Sequence, residues 1–381
     1  MTSAQKAILS ILAAMACILL AMVGYYGVQA YDYVAGQPLG PSLPTSAYTP
    51  LGLPPTWTAS PASGFQPVQV ATRLPSATPP VVTRCGGPPV MTLLAIGSDT
   101  RGSGYTYGLA DVIRIVRVDF LTPRVTVLEV PRDMWVEIPE IEDNIGQDHE
   151  KLNQAYLYGN PGDGFGYWDD PSAGPGLLAR TLDLNFGIKA DHYVAVNMKT
   201  FVRIVDAVGG IDVTLSQTVD GRTEDNNSKS LIYQAGTHHL DGTRALALAR
   251  VRTEGVFERA DNQNMVLCAL RKKLTGPATV SRIPQLIDSF KDSIQTDLSP
   301  ASISQLACLG TQLPADNVSF VSFPQELFTG TRVYDPVFKK KLFIWDADFS
   351  ILRQYVAQFS AGIWPLGGPA LPQTGGASFC P

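Results

Sequence analysis

The chain has 381 residues, enough for one large domain or two ordinary ones, and 45% of them are hydrophobic, enough for a sizeable core. Its 29 Lys and Arg against 34 Asp and Glu give a net charge of -5, with the two signs interspersed over most of the length. That balance excludes the basic footprint of a nucleic-acid binder, so no nucleic-acid partner is expected.

Ala7 to Gly24 carries no charged residue and is about as long as a helix needs to cross the hydrocarbon core. Tyr25 and Tyr26 follow it as interfacial aromatics would, Lys6 precedes it, and no Lys or Arg follows until Arg73. The charge bias therefore reads residues 1–6 as cytoplasmic, 7–26 as a single transmembrane helix lodged in the lipid bilayer of the cell membrane, and the remainder as extracytoplasmic. A cleaved signal peptide is the competing reading, favoured by Gly27 and Ala30 and disfavoured by the length of the run. Cys17 after Ala16 faintly resembles a lipoprotein site, but apolar sequence continues beyond it. Residues 27–89 are dense in Pro, Ser, Thr, Ala and Gly from Gly36 onward and lack apolar periodicity, which reads as an extended linker.

Next come Met91 to Ile96, Val112 to Phe120 and Val125 to Val130, rich in β-branched residues, which predict strands. Apolar spacing predicts helices over Gly176–Leu184, Lys199–Val208, Gly242–Ala249 and Asp261–Leu274, with strands again at Tyr193–Val196 and Ile211–Leu215. Strands interleaved with helices point to one α/β domain over residues 90–362, an α/β/α layering around a mixed sheet, with 363–381 as a C-terminal tail. Cys85, Cys268, Cys308 and Cys380 would lie in an oxidising compartment and permit two disulfides. Cys268 with Cys308 and Cys85 with Cys380 is the pairing expected, although spacing does not fix it. No C-x-x-C or Cys/His ligand spacing supports a zinc site.

The chemistry gathers where strands end. Gly97-Ser98-Asp99-Thr100-Arg101 closes the first strand, a glycine-rich loop follows, and Asp111 opens the second. Two carboxylates at one mouth suit a hard cation such as Mg²⁺, which shares its ligands with substrate phosphates. Aspartates capping turns are the plainer alternative. The third strand ends Glu129-Val130-Pro131-Arg132-Asp133, at the edge where open α/β sheets place ligands, although a simple surface ion pair would look the same. Lys151 and Asn153, then Arg250 and Arg252, then Arg259, Asn262 and Gln263 supply further polar groups. Converging guanidinium forks make a pyrophosphate clamp, and Arg250 and Arg252 share a side only if the helix ends there. Tyr156, Tyr158, Phe165, Tyr167 and Trp168 could shape an acceptor groove or simply pack. The apolar helical faces at Val202–Val208 and Met265–Leu274 read as core unless a cavity separates them.

The ordered set GSDTR, Asp111 heading a strand, VPRD, KLN, DHYVAVNMKTFVRIVDAVGGIDV, LDGTRALALARVR and ERADNQ, from Met91 to Leu274, resembles the LytR-CpsA-Psr family of cell-wall glycopolymer ligases. The resemblance implies a membrane-anchored, extracytoplasmic phosphotransferase. It would move a glycan phosphate from a polyprenyl-pyrophosphate carrier to a peptidoglycan hydroxyl. It implies Asp99 and Asp111 as Mg²⁺ ligands, with Mn²⁺ as the alternative ion, and Asp99 also as general base. Asp99, Asp111, Arg132 and Arg250 would form the catalytic set. Arg101, Arg132, Lys151, Arg250, Arg252, Arg259 and Gln263 would hold the pyrophosphate. The chain departs from the family pattern at Leu109 and Ala110, where arginine and serine are usual, and at Asn262, where the R-x-x-R-Q motif has its second arginine. A hydrolase using water as acceptor and a non-catalytic envelope or regulatory module remain as alternatives.

Overall fold

The computed structural model describes residues 22, 25, 40–44, 83–100, 105, 108–162, 164–223, 226–251, 256–276, 290, 293–365 and 377–380. Most of the expected membrane helix and most of the linker lie outside the described residues, among which no helix is long and apolar enough to cross a membrane.

The β-branched runs fold as β1 (Val90–Ser98), β2 (Ala110–Asp119) and β3 (Arg124–Glu129), an antiparallel meander. A small ladder, β4 (Trp135–Glu137) with β5 (His149–Lys151), leads into α1 (Leu152–Gly159) and α2 (Ala173–Phe186). Then come β6 (His192–Asn197), α3 (Met198–Ala207), β7 (Ile211–Leu215), β8 (Gly236–Leu240), α4 (Gly242–Leu248) and α5 (Val256–Leu274). The chain continues through β9 (Ile294–Thr296), α6 (Pro300–Gln312), β10 (Val318–Ser322), the hairpin β11 (Phe328–Asp335) and β12 (Lys340–Ala347), α7 (Phe349–Ser360) and β13 (Ala377–Phe379). Every strand and helix expected from apolar spacing is present, with ends shifted by a few residues.

The main sheet runs β9-β6-β1-β2-β3-β10-β13. It is mixed: β6 is parallel to β1 and β10 to β3, and the other pairs are antiparallel. Alternation along β1 sorts its side chains onto two faces. Leu94 and Ile96 join Tyr156, Leu177, Leu178 and Tyr355 of α1, α2 and α7, whereas Met91 and Leu93 meet Leu298 and, from α6, Leu309. Each such fully buried side chain contributes roughly 2 kcal/mol. Helices thus cover both faces. Local signals fix several ends: Asn197 caps α3 by accepting from the Thr200 amide at 2.8 Å, and Gly187 stops α2 at a φ of 72°.

Two expectations are corrected. The disulfides join Cys85 to Cys308 and Cys268 to Cys380, not the expected pairs. Cys85 lies just before β1, over α6, which carries Cys308, while Cys268 on α5 faces the last strand; only the fold brings these thiols within reach. The C-terminal segment is also more than a tail, because β13 pairs with β10 at the sheet edge and Cys380 follows it.

Candidate functional site

The β1–β2 register shifts at Gly97/Ser98, which carries Asp99 past the end of the ladder. Its carboxylate is held by backbone: the Leu109 amide donates to Asp99 Oδ1 at 2.6 Å, and the Asp99 amide donates to the Leu109 carbonyl at 3.0 Å. Gly108 sits at a φ of +138°, and a Cβ there would lie 2.8 Å from Ser98 Oγ and 3.1 Å from Asp99 Oδ1. Only glycine lets the chain pass this close. Leu109 therefore serves through its main chain, and Ala110 is buried in the core, so these two departures leave the Asp99 carboxylate held.

Asp111 accepts from Arg132 Nη1, whose Nε also reaches Asp133 Oδ2 at 3.3 Å. Asp133 Oδ1 in turn receives Lys151 Nζ at 2.7 Å. Burial opposes the Arg132 charge, but Asp111 and Asp133 beside it more than offset that and raise its pKa. Arg259 donates through Nη2 to the Asp111 carbonyl, tying α5 to β2. Asp111, Arg132, Asp133 and Lys151 thus form one chain of alternating charge.

On the sheet face that carries Ala95, Val112 and Val194, helices α3, α4 and α5 leave a cavity of about 300 Å³. Its wall is apolar, with Phe201 and Ile204 from α3, Leu246 from α4, and Val266, Leu267 and Leu270 from α5. The two helical faces read as core are therefore in part a cavity lining. Ser98, Asp111, Arg250, Arg259 and Gln263 border the same space. Arg250 follows the end of α4, as its placement beside the site requires, and is exposed.

Sequence reasoning missed Arg114. It also borders the cavity, is 3% exposed, and donates to Gln263 Oε1 at 3.1 Å and to Asn264 Oδ1. Burial lowers its pKa, with Glu129 and Asp261 acting the other way; burial likewise raises the pKa of Glu129, which lies 4.0 Å away. An arginine in the apolar run Val112–Val118 was the available signal, since a charge on a central strand requires a partner. Asn262 is buried with no hydrogen bond to its side-chain nitrogen among the described residues. Arg101 and Arg252 lie outside the described residues. Tyr156, Tyr158 and Trp168 are buried, and Tyr158 packs against Tyr167 at 5.2 Å, so this aromatic group is core and not a groove.

A model of the LytR_cpsA_psr family matches residues 87–346. Regulatory protein MsrR of Staphylococcus aureus is 27% identical over 219 residues, which cover 56% of this chain and 58% of that protein. Polyisoprenyl-teichoic acid–peptidoglycan teichoic acid transferase TagU of Oceanobacillus iheyensis is also 27% identical over 219 residues, covering 57% and 61%. Both matches span less than two thirds of the relatives' own length. The crystal structure of Bacillus subtilis TagV superposes with a TM-score of 0.53 at 21% identity, covering 71% of this chain and 97% of that one, and so shares the fold.

Proposed function

The chain belongs to the LytR-CpsA-Psr family, and we propose that it is a phosphotransferase moving a glycan phosphate from a polyprenyl-pyrophosphate carrier to a peptidoglycan hydroxyl. The observation that carries this reading is the apolar cavity of about 300 Å³ that ends at Asp111, Arg250 and Arg259. An isoprenoid chain is the kind of tail that gains by entering such a space, and guanidinium groups at its mouth suit the anionic head that the tail bears. The name of the TagU relative states the same donor and acceptor classes for that protein.

In this reading Arg132, Lys151, Arg250, Arg259 and Gln263, with Arg101 and Arg252, orient the pyrophosphate and offset its charge. The acceptor oxygen forms a bond to the glycan-side phosphorus, the bridging P–O bond breaks, and polyprenyl phosphate leaves with the electron pair. Asp99 takes the proton of the attacking hydroxyl. Asp99 and Asp111 would suit Mg²⁺ or Mn²⁺, since a magnesium ion needs only one or two carboxylates when substrate phosphates complete its shell, and the Leu109 amide fixes one Asp99 oxygen just past the end of β1. Such an ion would supply further neutralisation of phosphate charge. No group of three or more His, Cys, Asp or Glu that could hold a metal occurs among the described residues.

The apolar run 7–24 would anchor the chain, residues 27–89 would link it, and one layered α/β/α domain would work outside the membrane. Two disulfides suit that oxidising side. A second reading, regulation without turnover, is favoured by the name of the MsrR relative. The test is turnover of a polyprenyl-pyrophosphate glycan by the full chain in detergent with Mg²⁺, with and without peptidoglycan. Transfer only with acceptor is expected. Release of polyprenyl phosphate without acceptor would indicate a hydrolase, and binding without turnover the regulatory module. Asp99→Ala or Arg132→Ala should lower transfer at least about 10²-fold while the domain stays folded.

A further inference from the structure

The hairpin β11–β12 stands at the end of the charge network. The Trp345 amide donates to the Asp133 carbonyl at 2.9 Å, and Trp345 forms a parallel bridge with Met134. The hairpin register places Gly330 opposite Trp345, Arg332 opposite Phe343 and Tyr334 opposite Lys341. By strand alternation these six residues share one face. The opposite face carries Ile344 and Asp335, both buried against the domain. On the first face Phe328 is buried and Trp345 half-buried where the hairpin meets the domain, and its outer part is open: Tyr334 is 57% and Phe343 38% exposed, large values for aromatic side chains. Phe343 meets Trp345 edge to face at 4.9 Å, and a Cβ on Gly330 would press on Phe343 at 2.9 Å, so glycine leaves room for the two rings to meet and for Phe343 to stay exposed.

We propose that this outer face, Trp345, Phe343 and Tyr334 with Arg332 and Lys341, is where the acceptor glycan strand of peptidoglycan docks. The proposal rests on the transfer reading above. From Lys341 to Trp345 the row runs roughly 13 Å, more than one pyranose ring. Aromatic rings offer flat apolar faces to the C–H side of such sugars and retain an edge for polar contact. Arg332 and Lys341 are exposed on this face, and Lys339 and Lys340 are exposed at the adjoining turn and strand start, a local excess of positive charge on a chain of net charge -5. Peptidoglycan stem peptides bear carboxylates, so the charge is complementary. Placement favours a glycan over a lipid surface. The cavity opens on the sheet face of Ala95 and Val112, whereas Trp345 and Phe328 of the hairpin pack with the core of the other face, around Leu94 and Ile113. Donor tail and hairpin thus lie on opposite faces of the sheet, with Arg132 and Asp133 between them.

The test is cosedimentation of the full chain, in detergent and without donor, with peptidoglycan sacculi stripped of attached polymers. Tyr334→Ala with Phe343→Ala should weaken binding at least about tenfold. Tyr334→Phe with Phe343→Tyr, which keeps both rings, should retain it, and both pairs should melt where the unmodified chain melts. No donor is present and no turnover is read, so the docking surface stands or falls separately from the transfer reading. Unchanged binding by the double alanine variant overturns the proposal. So does loss of its binding to phosphatidylglycerol vesicles with sacculus binding intact, which would make this face a membrane contact.

Discussion

Asp133 accepts from two cations at once, Arg132 and Lys151, and so fixes both beside Asp111. Buried carboxylates with such partners are costly to strip of them. Glu150, which pairs with Val136 in the β4–β5 ladder, is the opposite case. Glu150 is fully buried, and burial, with the Asp335 charge adding to it, pushes its pKa up to about 8. Between the ordinary glutamate range and pH 8 the folded chain therefore keeps a proton that the unfolded chain has released. Stability from this group is complete below about pH 4.5 and is lost as the pH rises towards 8. Glu150→Gln should flatten the fall of melting temperature with pH and raise the value at pH 8 by roughly 3 °C or more; an unchanged profile contradicts a protonated Glu150. The position of Asp99, Asp111 and Arg132 near strand ends was legible in the sequence because each lies where a β-branched run ends or opens. Arg114 was not, because what identifies it is the cavity across the sheet, and its partners Gln263 and Asn264 are about 150 residues away in the chain.

Among the elements, α3 and α5 carry the consequence of the apolar cavity. Their spacing of apolar residues was plain, but spacing cannot distinguish a face that meets another face from one that stops short of it. Ile204→Trp, which directs bulk into the cavity, should weaken binding of a polyprenyl-pyrophosphate donor about tenfold and leave binding of a water-soluble pyrophosphate glycan unchanged. Equal loss for both would show that the tail does not enter there. β13 was illegible for a different reason: a three-residue strand has no period to read, and its pairing with Val321, Phe320 and Ser319 depends on the fold. The Cys268–Cys380 bridge then fastens that strand to α5, whose Val266, Leu267 and Leu270 line the cavity.

For the molecule as a whole, the sheet separates two kinds of surface and brings them together at its strand ends. On one face is an apolar space closed by helices; on the other is the packed core from which the aromatic, basic hairpin projects; Asp111 and Arg132 stand between. The mixed α/β order was legible from the succession of elements, and the family from motifs in sequence order. The strand order β9-β6-β1-β2-β3-β10-β13 and the disulfides that brace it were not, since both join parts of the chain remote in sequence. The most direct test of this account is to follow a labelled polyprenyl-pyrophosphate glycan through incubation with the full chain, Mg²⁺ and peptidoglycan. The account predicts label covalently fixed in the insoluble peptidoglycan together with polyprenyl phosphate, both abolished by Asp99→Ala; polyprenyl phosphate released equally without peptidoglycan, or label that binds and never turns over, would contradict it.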